Sequence, residues 1–412
     1  MTITRRRFLK TSLGASALLT SIPSLPSLLL GPSANAATQD ANDDRILIVV
    51  QLSGGNDGLN TVIPYGDDVY ARNRSTLRRT GEEVHKIDSQ LGFHPRMEGF
   101  SRLYKEGLLS IVQGVGCENL PRDHEKAMRV WHSASPDCLD CPAGWLGRTG
   151  DSIWDTSEAH SKVAFVGPIK RPSAMNAERV FVPSIRSLKD LTLHSMPGQS
   201  GSASKRMPAD NDNPLLAFVQ ESMQRSYLNS RKIQAVAESP AAQSEYPSFG
   251  FARDLQMVAQ MIRAENGIRI FFTELGGEGF GGFDNHANQL DNHGSLLHQL
   301  SEAIAAFADD LKRDGLLDNV MLMTFSEFGR TLQENGRRGT GHGNAAPVFL
   351  VGGKLKGGLI GAHPSLTELD NGAPQFHTDF RRIYATVLEP WLGFDSKEIL
   401  GGQFDPLDVL DI

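Results

Sequence analysis

A series of short, β-branched apolar runs constrains this chain more than any other feature. They are Arg45–Leu52 (R-I-L-I-V-V-Q-L), Leu108–Val115, Lys162–Val166, Arg179–Val182, Ile268–Leu275, Asn319–Phe325 and Pro347–Val351. Continuous apolar character suits strands covered on both faces, as in a parallel sheet held between helices. The intervening stretches supply those helices. Met97–Glu106, Leu215–Ala237, Ala252–Glu265, His293–Lys312 and Asp379–Trp391 repeat apolar residues at three- and four-residue spacing. The expected fold is therefore α/β, a largely parallel central sheet with helices on both faces.

The ends of the chain read differently. Residues 4–10 are T-R-R-R-F-L-K, with Arg5 and Arg6 ahead of Phe8, Leu9 and Lys10. A weakly apolar stretch, Thr11–Leu30, is broken by Pro23 and Pro26, and Ala34-Asn35-Ala36 offers a cleavage site. This is the pattern of a twin-arginine signal peptide over residues 1–36. It predicts export to the periplasm or the cell exterior, with the twin-arginine translocation machinery as a partner. That route carries folded proteins, often with a metal in place. No other stretch is long and apolar enough for a stable membrane span. Residues 37–412 then read as a single domain. The Ser-, Gly- and Pro-rich stretch 187–213 is read as a flexible insertion, or a lid. A net charge of −7 leaves no basic footprint, so nucleic acid is not an expected partner. Of the three cysteines, Cys138 and Cys141 form a C-x-x-C. In an oxidising compartment a local disulfide is the plain reading, and a redox role the sharper one.

The chemistry lies just beyond each strand, because ligands of open α/β sheets bind at the carboxyl edge. After Arg45–Leu52 comes S-G-G-N-D-G-L-N-T, with Asn56 and Asp57. After Ile268–Leu275 come Asp284, His286, Asp291 and His293. After Asn319–Phe325 come Glu327 and Arg330, and His342 precedes Pro347–Val351. After Leu108–Val115 come Arg122, Asp123 and His124. Any one Asp on such a turn is an ordinary turn former. Their convergence on one edge points instead to a metal or anion site. Mixed Asp/Glu/His sets suit divalent ions such as Zn²⁺ or Mn²⁺, and Ca²⁺ to a lesser degree. Gly277, Gly279 and Gly282 match the spacing G-x-G-x-x-G but run into Phe283-Asp284-Asn285-His286, not into a helix, so no nucleotide cofactor is expected.

Several motifs occur together in order: G-G-N-D-G-L-N-T, G-W-L-G-R (Gly144 to Arg148), G-G-F-D-N-H-A-N-Q, S-E-F-G-R-T and H-T-D-F-R-R-I-Y-A-T-V-L. Across Arg45 to Gly393 the chain resembles the bacterial domain-of-unknown-function family numbered 1501, which is placed with the alkaline phosphatase and sulfatase superfamily. The resemblance implies an alkaline phosphatase/sulfatase-like fold and one or two divalent metals acting on phosphate or sulfate esters. It implies metal ligation by Asp57, by Asp284 with His286 or His293, by Glu327 and by His342. Asp123 falls at the nucleophile position beside His124, where the family commonly has Ser-His. Gly341-His342-Gly343 stands where the family commonly has Asp-His-Gly. Arg330 or Arg122 would neutralise the ester's charge. The functional expectation is an exported metal-dependent hydrolase of small or polymeric anionic esters. The alternative is a catalytically degenerate relative that binds a glycan, an anionic polymer or a partner protein.

Overall fold

Strand β1 (Ile46–Leu52) shows why an uninterrupted apolar run belongs at the centre of a sheet. In the computed structural model, Ile48, Val50 and Leu52 join the core on one face, while Leu47 and Val49 join the core on the other. With both faces packed, every position gains from being apolar, roughly 1.5–3 kcal/mol for each large side chain buried. The structure describes residues 44–153, 161–168, 170–188, 245–265, 267–276 and 282–412. The signal segment 1–36, the insertion beyond residue 188, the pattern Leu215–Ala237, and Gly277 and Gly279 lie outside the described residues.

The central sheet also contains β2 (Leu109–Gly116), β3 (Val163–Val166), β4 (Ser184–Ile185), β5 (Ile270–Leu275), β6 (Val320–Phe325), β7 (Ala346–Gly352), β8 (Gly358–Ile360) and β9 (Thr378–Asp379). Their order across the sheet is β8-β2-β7-β6-β1-β5-β3-β4, with β9 also paired to β2. All pairings are parallel except those of β7, which runs antiparallel to both β2 and β6. The reversal has a consequence for function. The loop leading into β7, which carries His342, reaches the same edge as the loops that leave β1, β2, β5 and β6.

Helices cover both faces. α1 (Glu98–Lys105), α4 (Gly250–Arg263) and α5 (Gln289–Arg313) pack on one side. α2 (His124–Ser133), α3 (Trp145–Ser152) and α6 (Phe380–Thr386) pack on the other. The helical pattern at Asp379–Trp391 divides: α6 gives way to a π-helical turn, Val387–Leu392, that contains Pro390. Proline brings no N–H for the regular ladder, which fits a change of winding there.

The run Arg179–Val182 is not a strand; β4 lies just beyond it, pairing Ser184 with Phe165. The backbone N–H groups of Glu178, Arg179 and Val180 all donate to the Asp151 carboxylate at the end of α3, at 2.8–2.9 Å. Those donors are spent before a ladder can use them. Cys138 and Cys141 are joined in a disulfide, and Cys117 is buried and unpaired.

Candidate metal centre

Four loops bring their polar residues together at the carboxyl edge. The turn after β1 packs closely on the loop after β5. Gly54 has φ +114°, and a Cβ there would stand 2.5 Å from the Asp284 backbone nitrogen. Only glycine allows the two loops to touch in this way. His124 opens α2, Asp284 and His286 come after β5, and His342 precedes β7. One ligand atom from each of these four lies within 4.8 Å of every other.

Asp284 Oδ1 is the common point. His286 Nε2 lies 3.0 Å away, His342 Nε2 3.3 Å and His124 Nε2 3.4 Å. The two histidine Nε2 atoms of His286 and His342 are 2.9 Å apart. Neighbours assign the tautomers. His342 Nδ1 faces the Arg122 carbonyl at 2.8 Å, and a carbonyl only accepts, so the proton sits on Nδ1 and Nε2 offers a lone pair. His124 Nδ1 faces Glu327 Oε1 at 2.8 Å with the same consequence. Glu327 is itself fixed, accepting the Gly54 N–H at 2.9 Å. His124 Nε2 is buried and has no hydrogen-bond partner, since 3.4 Å from Asp284 is an electrostatic contact only. An orphaned imidazole nitrogen turned into a carboxylate and two further imidazoles fits a metal ion. Three nitrogens and one oxygen match a four-coordinate donor set.

The charges are strongly coupled. Burial raises the Asp284 pKa, but the adjacent His124 and His342 imidazoles and the Arg330 guanidinium, with its hydrogen bond and charge, outweigh it, leaving a carboxylate far below its ordinary range. With no cation between them, Asp284 and then Glu327 raise His124 to about 9. Burial lowers His286.

Other candidate residues lie elsewhere. Asp57 is buried in a forked ion pair with Arg74, at 2.5 and 3.1 Å, and also accepts from Gln289 at 2.5 Å. His293 is buried, bonded through Nε2 to Asn56 Oδ1 at 2.9 Å, and desolvation lowers it to about 4. Asp123 is exposed and caps α2, accepting from the Lys126 N–H at 3.0 Å. The Arg122 guanidinium holds Asp370, while its carbonyl orients His342. Arg330 is buried and knits the loops: it donates to the carbonyls of Gly54, Gly55 and Phe283 and, at 2.8 Å, to Asp284. The geometry thus joins Asp284, His286 and His342 with His124. It puts Glu327 and Arg330 behind them as orienting groups, and Asp57 and His293 in the interior. Arg74 carried no signal in the sequence, because it is one of four arginines in residues 72–79 and follows no strand end.

The sequence matches, over residues 139–405, the family described as "Protein of unknown function (DUF1501)". No curated protein matches it. Solved structures are similar at low identity, three among them as follows. The C-terminal periplasmic domain of EcEptC from Escherichia coli, in complex with Zn, is 11% identical with TM-score 0.34, covering 75% of this chain and 72% of its own. A lipoteichoic acid synthase from Listeria monocytogenes is 10% identical with TM-score 0.39, over 90% and 78%. A sulfatase from Pseudoalteromonas sp. is 10% identical with TM-score 0.36, over 90% and 72%.

Proposed function

The chain belongs to the DUF1501 family of proteins of unknown function, and on that premise we propose that it is an exported, metal-dependent hydrolase-like protein acting on phosphate or sulfate esters. One observation carries the reading: three imidazoles and a carboxylate share a single point, and the His124 nitrogen facing that point has no other partner. His124, His286, His342 and Asp284 would hold the ion. The nitrogen-rich donor set favours Zn²⁺, with Mn²⁺ next, over the all-oxygen preference of Ca²⁺. A divalent ion in this position supplies Lewis acidity toward an ester oxygen.

The protein's own groups then have distinct tasks. Glu327 and the Arg122 carbonyl fix the two ring orientations, which is how outer partners sharpen a ligand set. Arg330 holds Asp284 while its other donors tie three loops into one rigid edge. Asp123 is committed to its helix, so the attack falls to water. The substrate is a small or polymeric anionic ester. Export rests on T-R-R-R-F-L-K, with the twin-arginine machinery as the partner. No helix among the described residues is long and apolar enough to cross a membrane. A binding role without turnover, toward a glycan, an anionic polymer or a partner protein, is the second reading. It is favoured by the capping aspartate that opens α2 where a hydroxyl would serve a phosphatase better.

The test is elemental analysis of protein exported in its own host, purified without chelator or metal resin, followed by assays with 4-nitrophenyl phosphate and sulfate. Stoichiometric zinc, lost in His286→Ala, with chelator-sensitive turnover is the expected result. Metal without turnover on either ester selects the binding reading. A stable, metal-free protein overturns both the site and the hydrolase.

A further inference from the structure

His132 sits near the other end of α2 from His124, roughly 12 Å along the helix axis. A chain of hydrogen bonds dictates which of its nitrogens carries the proton. Ser53 Oγ lies 2.6 Å from the Glu274 carboxylate, which only accepts, so the hydroxyl proton is committed there. Ser53 then accepts from Gln51 Nε2 at 2.7 Å. This turns Gln51 Oε1 toward His132 Nε2, 2.7 Å away, and places the imidazole proton on Nε2. The lone pair left on Nδ1 faces Ser173 Oγ at 2.9 Å. Ser173 is exposed while His132 is 7% exposed. Both line a cleft of about 630 Å³ whose wall also includes Arg129, Lys170 and Arg171. Burial keeps the imidazole neutral, its pKa lowered to about 3.

We propose that Ser173, His132 and Gln51 form a second reactive centre, a serine nucleophile for acyl esters with an anionic portion. The arrangement is the nucleophile–base–orienter relation required of such a centre, with an amide as the orienter. Ser173 also opens a short helical turn, Ser173–Met175. The first bond of that turn runs from Met175 N–H to Pro172 C=O at 3.1 Å. The turn is held rigidly against α3. Gly144 N–H donates to Asn176 C=O at 2.9 Å, and a Cβ on Gly147 would stand 1.8 Å from that same carbonyl oxygen. Arg129 is paired with Glu125 and Asp140, and Arg171 Nη1 donates to the Val182 carbonyl at 2.8 Å, so Lys170, with the charge of Arg171 beside it, is the cation that meets a carboxylate or phosphate on the substrate.

In the first step Ser173 Oγ bonds to the ester carbonyl carbon and the bond to the alkoxy oxygen breaks. The serine proton passes to His132 Nδ1 and leaves with the alcohol. Water then cleaves the acyl-serine by the same path, returning the proton and releasing the carboxylic acid. No metal enters either step.

The experiment uses the full chain and a reporter-tagged fluorophosphonate, which bonds its phosphorus to a nucleophilic serine and expels fluoride. The tagged peptide should contain Ser173. Ser173→Ala should abolish labelling, and His132→Gln should slow it at least about ten-fold. Hydrolysis of 4-nitrophenyl butyrate should persist in chelator, be lost in Ser173→Ala, and leave that variant's zinc content at the wild-type level. Ser173→Ala alters an exposed position, so it remains decisive even if the buried His132 variant fails to fold. Ser173 left unmodified under conditions that fully label a known serine esterase would overturn the proposal. Equal labelling of wild type and folded His132→Gln, or equal butyrate turnover in wild type and Ser173→Ala, would do the same. Serine labelling and chelator-resistant butyrate turnover do not depend on the metal centre, so the two sites succeed or fail separately.

Discussion

Asp57 and Asp284 begin alike and end differently. Each lies beyond a neighbouring parallel strand on a glycine-rich turn at the same sheet edge. The Asp57 side chain is 3% exposed and its charge is matched by the Arg74 fork. The Asp284 side chain is 42% exposed and faces three imidazoles as well as Arg330. Burial penalises the Asp57 charge, and Arg74 more than restores it, so its pKa falls below the ordinary value. What separates a structural carboxylate from a ligand is the source of its countercharge. The Arg74 fork takes both Asp57 oxygens and closes that site, whereas Asp284, held by Arg330 at one oxygen only, also faces imidazoles that leave room for a cation.

That contrast is easiest to break at Asp57. Asp57→Ala strands the Arg74 guanidinium in the interior and should cost about 3–5 kcal/mol in urea unfolding. A loss below about 1 kcal/mol would mean that the pair is not structural. The sign with pH comes from the lowered pKa: the stabilisation is complete above about pH 4 and is lost as pH falls through the folded-state value.

A third carboxylate should slope the other way. Asp254 is 8% exposed, and burial raises its pKa to about 6, with Arg253 offsetting only part. Between about pH 4 and pH 6 the folded state holds the proton that the unfolded state has lost, so stability declines as pH rises through that window. Asp254→Asn should flatten the decline, worth up to about 3 kcal/mol. Superimposable pH profiles of the variant and wild type would contradict this.

Glu327→Gln tests the ligand side of the comparison. It weakens the partner that orients His124, and zinc affinity measured by chelator competition should fall about 10–100-fold. An unchanged affinity would place His124 outside the donor set. The smallest effect belongs to Asp123→Ala. Loss of the cap should cost about 1 kcal/mol of stability and leave zinc content intact. Loss of ester turnover with unchanged stability would instead assign Asp123 a chemical role.

The strands and helices were legible because burial on two faces leaves a plain periodic mark. Ile46–Leu52, Ile270–Leu275 and Val320–Phe325 lie within one or two residues of their apolar runs. Arg179–Val182 had the mark without the strand, since a distant carboxylate, Asp151, had taken its donors. The edge that gathers Asp284 and His286 was evident from strand direction, but His342 joins it only because β7 runs antiparallel, which its apolar run did not announce. The assignment of His124 was not, because its Nδ1 bond to Glu327 spans 203 residues. The Ser173–His132–Gln51 relay was equally hidden, its three members lying on a short turn, a helix and a strand far apart in the chain.

Local composition therefore determined the layered α/β architecture and the edge at which polar groups collect, because hydrophobic periodicity and glycine turns are properties of neighbouring residues. Only the tertiary structure decided which carboxylate is closed off by an arginine fork and which also meets imidazoles. Charge pairing and desolvation act through space, over ångströms that sequence distance does not measure.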